Sequence, residues 1–304
     1  MAIDGIFNID KPVGITSHDA VARVRRLAGQ KRVGHAGTLD PAASGVLPVL
    51  LGQATRLAEY LSESGKAYRA TIRFGVVTDS YDTEGQIIRE SAVSLTHDDI
   101  AAALPEFLGN QLQRPPLYSA IKIEGQRLYT LARAGQTLDV PPRPIRIDSL
   151  TIVDWTSPTL VLDVECGKGT YIRSLAFDLG ERLGPGAHLA ALVRTRSGPC
   201  TLASSITLDA LAQAFSESTW RDHCFAADEA LLDWHAAVLN VENETRMRYG
   251  QLLPQSAETS THQHSLLRAY SADGRFLGIL RRDETGWQPH KVLLTTPEDA
   301  DDGR

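Results

Sequence analysis

One carboxylate in this chain is set apart by its neighbours. Asp40 lies in Gly34-His35-Ala36-Gly37-Thr38-Leu39-Asp40-Pro41-Ala42-Ala43-Ser44-Gly45, with a basic run before it and an apolar run at residues 46–51 after it. Glycines there admit backbone conformations and close approaches that a side chain would block. Pro41 biases Asp40 toward an extended conformation, because a residue before proline avoids the helical region. The stretch reads as a tight loop showing one carboxylate on a stiff base, suited to nucleophilic or general-base work. The competing reading is a plain Asp-Pro turn, a common way to open a connection.

Other reactive residue types carry weaker signals. Ser17-His18-Asp19 has the members of a hydrolase triad, but adjacent helix positions point in different directions, so a helix cap is the better reading. The acids in Thr78-Asp79-Ser80-Tyr81-Asp82-Thr83-Glu84 lack calcium-loop spacing and read as a solvated hairpin. Lys168-Gly169-Thr170 lacks the upstream glycine and the order of a phosphate-binding loop. His262 and His264 have no third ligand nearby, so no metal is expected. Tyr68, on its own, reads as a strand aromatic, and Arg173 as a residue on the first turn of a helix, where an anion is favoured.

The elements that must hold these residues follow from periodicity. Residues 5–10 alternate as a short strand, and Thr16 or Ser17 caps a helix through about residue 28 with Ala20, Val21, Val24 and Leu27 on its apolar side. A buried strand is expected at 46–51, a helix at 54–61, an alternating strand at 66–74 and a helix at 95–108. A strand at 118–123 and a helix through 128–132 come next, then two strands at 145–155 and 159–165 that can pair as a hairpin. Tyr171, Leu175, Leu179 and Leu183 recur at helical spacing after Gly167, and a further helix is expected at 207–215. Past residue 235 the character changes to a short helix at 242–249 and strands at 266–270, 275–280 and 292–295.

With 304 residues the chain can bury a sizeable core in one large domain or two. No apolar run could span a bilayer, the first residues lack a secretory signal, and three scattered cysteines fit a reducing cytosol. The net charge of −6 is unfavourable for a nucleic-acid partner, but its distribution is uneven. Arg23, Arg25, Arg26, Lys31, Arg32 and Arg56 cluster around the Asp40 loop, while Glu298, Asp299, Asp301 and Asp302 weight the tail. A basic face beside the loop is therefore expected, against the plainer reading of a solvated helix side.

The run from Gly34 to Arg56, GHAGTLDPAASGVLPVLLGQATR, resembles the signature of the TruB-type tRNA pseudouridine synthases. Asp10-Lys11-Pro12-Val13-Gly14, Lys66-Ala67-Tyr68, and Lys168-Gly169-Thr170-Tyr171-Ile172-Arg173 are similar to three further motifs of that family, in order, over about residues 5–210. The resemblance implies an α+β pseudouridine synthase fold, a mixed and mainly antiparallel central sheet flanked by helices. A small β-rich PUA-like domain would follow, with the division at residues 1–234 and 235–304.

It also implies a cytoplasmic, monomeric isomerase making pseudouridine at position 55 in the tRNA T-loop, by base flipping and without cofactor or metal. Asp40 would be the catalytic carboxylate, acting as nucleophile or as base. Tyr68 would stack on the extruded uracil and Arg173 would pair with Asp40. Leu192 would line the base pocket, and Lys66 and His35 would contact the substrate, with His35 filling space left by the base or meeting a phosphate. The partner would be tRNA, through T-loop, T-stem and, at the C-terminal module, acceptor stem. Guide-RNA-dependent synthases share these motifs; the chain's ends and length favour the stand-alone enzyme.

Overall fold

The computed structural model describes residues 2–116, 122–123, 126–127, 140–254 and 265–293. Most of the strand expected at 118–123, the helix expected through 128–132, the His262/His264 pair and the acidic tail lie outside these residues.

The strands of the first part are β1 (Gly5–Lys11), β2 (Val33–His35), β3 (Ala43–Leu51), β4 (Lys66–Phe74), β5 (Val76–Thr78), β6 (Ile87–Glu90) and β7 (Gly109–Gln113). They continue as β8 (Lys122–Ile123), β9 (Gln126–Arg127), β10 (Arg143–Thr156), β11 (Thr159–Cys166), β12 (Ala187–Ser197), β13 (Cys200–Thr201), β14 (Ile206–Thr207) and β15 (Cys224–Phe225). One large sheet runs β14-β1-β3-β12-β4-β11-β10-β7, with β2 on β3, β13 on β12 and β15 on β1. The β3–β12 and β1–β14 pairs are parallel and the rest of that path is antiparallel. β5–β6 and β8–β9 are separate hairpins.

Local chemistry explains the elements that were legible. Helix α1 (Ser17–Ala28) starts at a capping box, in which Thr16 accepts from the Asp19 amide and Asp19 returns to the Thr16 amide, and it stops at Gly29 with φ 62°. Val46, Leu47, Val49 and Leu50 are all fully buried, so β3 is covered on both faces. Each such side chain contributes about 1.5–3 kcal/mol relative to exposure. One face is covered by α1 and α5 (Leu208–Ser216), through Val24 and Leu211. Farther along the sheet, α4 (Ile172–Leu183) packs Leu175 and Leu179 onto Ile72, Leu160 and Leu162.

Two expected helices are shorter. Residues 54–61 form a 3₁₀ turn, Gly52–Leu57, before α2 (Ala58–Glu63). The stretch 95–108 is α3 (His97–Ala103), then a 3₁₀ turn from Leu104 that holds Pro105, whose missing N–H ends the α-helical ladder.

The second sheet is β16-β18-β19-β20-β17, from β16 (Ala236–Leu239), β17 (Leu253–Pro254), β18 (Leu266–Ser271), β19 (Phe276–Arg282) and β20 (Gly286–Val292), with α6 (Val241–Arg248) beside it. The last described strand, β20, ends where the expected 292–295 begins, with residues 294 and 295 outside the described residues, and Trp287 at its start is buried in this sheet's core. Ile279 and Leu293 join Leu50, Leu57 and Leu61 in a shared cluster, so the second sheet is docked on the first part by apolar burial. No helix among the described residues is long and apolar enough to cross a membrane.

Candidate active site

The loop between β2 and β3 is held at the residues on either side of Asp40. Ser17 Oγ accepts from the Leu39 amide and donates to the Leu39 carbonyl, both at 2.9 Å. The Pro41 carbonyl accepts from the Gly14 amide at 2.8 Å, and the Asp40 carbonyl from the Ala43 amide at 3.1 Å. Thr16 makes the helix cap, which frees Ser17 for the loop. The Ser17-His18-Asp19 run thus serves the cap and the loop, and Asp19 is turned to Thr16.

Arg173, on the first turn of α4, reaches Asp40 Oδ2 with Nη2 at 3.0 Å and Asp82 Oδ2 with Nη1 at 3.3 Å. The side chains of Arg173 and Asp82 are 9 % and 10 % exposed and that of Asp40 is 46 % exposed, so Asp40 is the member open to a ligand. Charge-assisted pairs of this kind orient as well as attract. Asp40, Asp82 and Arg173 are the charged groups lining an open cleft, and Ala43, Leu189 and Leu192 are among its apolar lining.

Asp82 was not singled out from sequence. The 78–84 stretch is not a solvated hairpin, because Thr78, Ser80 and Asp82 are all buried. Ser80 Oγ donates to Asp82 Oδ1 at 2.5 Å and the Glu84 amide at 3.0 Å. Tyr81 takes φ 65°, uncommon for a residue with a side chain, and stacks on Phe177 at 4.0 Å between ring centroids. That turn delivers Asp82 to Arg173.

Tyr68, on β4, is 8 % exposed and belongs to the core that also holds Leu39 and Ala43. Burial pushes its phenol up, opposed by the positive charge of the Arg194 guanidinium. Its ring is not part of the cleft lining, whereas Leu192 is. His35 meets His18 edge-on at 5.5 Å, and its Nδ1 is buried without a hydrogen-bond partner. Burial, then His18 and Arg194, lower its pKa, which favours a neutral ring.

Lys66 departs from the expected substrate contact. Its ammonium donates to the carbonyls of Ser62 and Ser64, each at 2.8 Å, and is 7 % exposed. Burial first and Arg194 next bring its pKa down to about 8. The ammonium is drawn inward by the two carbonyls at the end of α2, which a charged group outside water needs. Lys11, fully buried, likewise donates to the carbonyls of Pro12 and Ile15, and Asp40 stabilises its charge against the burial that lowers its pKa.

Several cations of the expected basic face are bonded within the chain. Arg23 pairs with Asp209, Arg25 donates to the Val33 carbonyl, Arg32 to Thr55, and Arg56 to the Val292 carbonyl of the second sheet. Arg25, Arg26, Lys31, Arg32 and Arg56 all remain exposed on that side.

Two family models match in tandem. One, described as TruB family pseudouridylate synthase (N terminal domain), matches residues 25–172. The other, described as tRNA pseudouridylate synthase B C-terminal domain, matches residues 173–238. A tRNA pseudouridine synthase B of Dehalococcoides mccartyi is 44 % identical over 295 residues, covering 96 % of this chain and 97 % of that protein. One of Burkholderia mallei is 43 % identical over 298 residues, covering 97 % and 98 %. Among solved structures, a chain of a Cbf5-Nop10-Gar1 complex superposes with a TM-score of 0.77 at 25 % identity, covering 96 % of this chain and 85 % of that one. A chain of an archaeal box H/ACA sRNP Nop10-Cbf5 complex gives a TM-score of 0.72 at 24 % identity, covering 95 % and 86 %.

Proposed function

The chain belongs to the TruB family of pseudouridylate synthases, and from that premise we propose that it converts uridine to pseudouridine at position 55, in the T-loop of tRNA, with Asp40 as the essential carboxylate. The isomerisation breaks the bond from ribose C1′ to N1 and makes one from C1′ to C5. The proton leaves C5 and N1 gains one, so no atom is lost and no electron changes hands.

The observation that carries this reading is the half-exposed Asp40 carboxylate, held by a buried arginine in a cleft with an apolar lining. Arg173 engages Oδ2, which leaves Oδ1 to meet the ribose, either as nucleophile at C1′ or as base at a ribose proton. Arg173 holds that carboxylate in place and aimed. A base inside folded RNA must leave its stack to reach the cleft. Leu192 then packs on the extruded uracil. Tyr68 stacks on it once the wall of the cleft yields, since its ring is buried in the free protein. His35 occupies the space left in the RNA or meets a phosphate. Lys66 supports the fold beneath them.

Residues 1–234 would form the catalytic domain and residues 235–304 a PUA-like module holding the acceptor-stem side of the tRNA. The protein would act as a cytoplasmic monomer. Incubation with a bare tRNA transcript tritiated at uridine C5 should release label at one equivalent per tRNA. Asp40→Asn should abolish release while tRNA affinity stays within about threefold, because the loop's backbone bonds do not use the carboxylate. Retained release by Asp40→Asn, or none from the intact protein on a bare transcript, contradicts the reading.

A further inference from the structure

Beneath the Asp40 loop lies a cation that the roles above do not use. Arg194, on β12, has no exposed surface, and among the described residues it pairs with no carboxylate. Its guanidinium donates instead to three backbone carbonyls, from Nε to Val46 at 2.6 Å, from Nη1 to Thr38 at 3.2 Å and from Nη2 to Gly37 at 3.1 Å. Gly37 and Thr38 are on the limb that enters the loop and Val46 is on the limb that leaves it, with Asp40 between them.

The sheet puts the arginine there. Arg194 stands in register with Gly45 on β3 and with Tyr68 on β4. A Cβ on Gly45 would lie 2.3 Å from the Arg194 carbonyl oxygen, so only glycine lets the two strands approach so closely.

A planar fork with five donors suits this task, since one rigid group can hold several acceptors at fixed mutual distances. A buried charge is costly unless every lobe is hydrogen-bonded, which ties the fork to the loop's carbonyls and those carbonyls to it. We propose that Arg194 is a positioning residue for the isomerisation, a clamp across both limbs of the loop that sets where Asp40 stands relative to Arg173 and Tyr68. This role rests on Asp40 being the reacting carboxylate.

The test compares R194M, which keeps length without donors, and R194K, which keeps the charge and can hold one or two of the three carbonyls. Single-turnover label release at saturating tRNA should fall about 10²-fold in R194M, the scale of a misplaced reacting group, while tRNA Kd stays within about threefold. R194K should recover part of the rate. Amide hydrogen exchange at residues 37–46 should quicken in both variants, with β10 and β11 unchanged. A role in folding alone would not separate rate from affinity in this way.

A wild-type rate in R194M overturns the proposal, as does a loss of affinity equal to the loss of rate. Where R194M does not fold, a wild-type rate in R194K overturns it. Asp40→Asn, run alongside, separates the two failures. If it still releases label, the reading of Asp40 fails and the clamp falls with it. If it is inactive while the Arg194 variants are not impaired, the clamp alone is wrong.

Discussion

Asp82→Asn removes the carboxylate charge that Arg173 Nη1 meets, while keeping the shape of the side chain. The pair is 3.3 Å apart and its members are 9 % and 10 % exposed, so water screens it little. At an effective dielectric of about 20, unit charges at about that distance attract by about 5 kcal/mol. Desolvation of both groups offsets much of this. Asparagine still offers one oxygen to the Glu84 amide, now 3.0 Å from Oδ1, but no longer a charge to the arginine. The net worth of a hydrogen bond to a charged group, about 1.5–3 kcal/mol, is then the measure of what Arg173 loses.

With Asp82 neutral, the guanidinium either drifts or is drawn wholly to Asp40, and either outcome slows the reaction. Placed entirely on the barrier, that loss lowers the single-turnover rate by about 10- to 150-fold. Label release under single turnover, with tRNA affinity measured by filter binding, reads both terms separately. Affinity should stay within about threefold. A rate within twofold of wild type in a folded Asp82→Asn protein would show that Arg173 needs no second carboxylate, and would refute the argument.

Other expectations follow from the same geometry. Gly45→Ala should lower stability by about 2 kcal/mol or more, read as a shifted urea midpoint, because φ is 100° there and the new methyl meets the Arg194 carbonyl. Tyr68→Phe should hold the melting temperature within a few degrees, since the ring stays in its core, whereas Tyr68→Ala should cost about 3–5 kcal/mol; equal melting temperatures for the two would contradict the buried placement. Lys66 has a folded-state value lowered to about 8. Between that and an unfolded value of about 10.4 the unfolded chain holds more protons, so stability rises with pH across the window. Lys66→Met lacks this titration. The wild type should therefore gain about 1–3 kcal/mol on the variant from about pH 8 to about pH 10.4 in parallel urea titrations, and a flat difference would be evidence against the burial.

Local pattern carried far in this chain. The alternation of residues 66–74 appears unchanged in β4, buried at every second position, because a strand with one face on the core must alternate. The Thr16–Asp19 capping box and Gly29 bound α1 within a residue, since both ends are satisfied by neighbours in sequence. Less was legible where a residue's partner is remote. Lys66 looked like an RNA contact until α2 placed two carbonyls over its ammonium. The arginines of the expected basic face looked untethered until Asp209 and the carbonyls of Val33 and Val292 came within reach of three of them, which stay at the surface.

What the amino-acid order alone determined is the loop itself: glycines that permit its turns, a proline that extends Asp40, an apolar run that seats it, and motifs that identify the family. Which groups surround that carboxylate was decided only by the tertiary structure. Asp82 lies 91 residues before Arg173, and Arg194 lies 156 residues after Thr38. Steric preference and hydrogen bonding act between near neighbours, so they leave a readable local pattern. The meeting of an aspartate, an arginine and a second arginine across a sheet depends on strand order and register, which the whole core sets together.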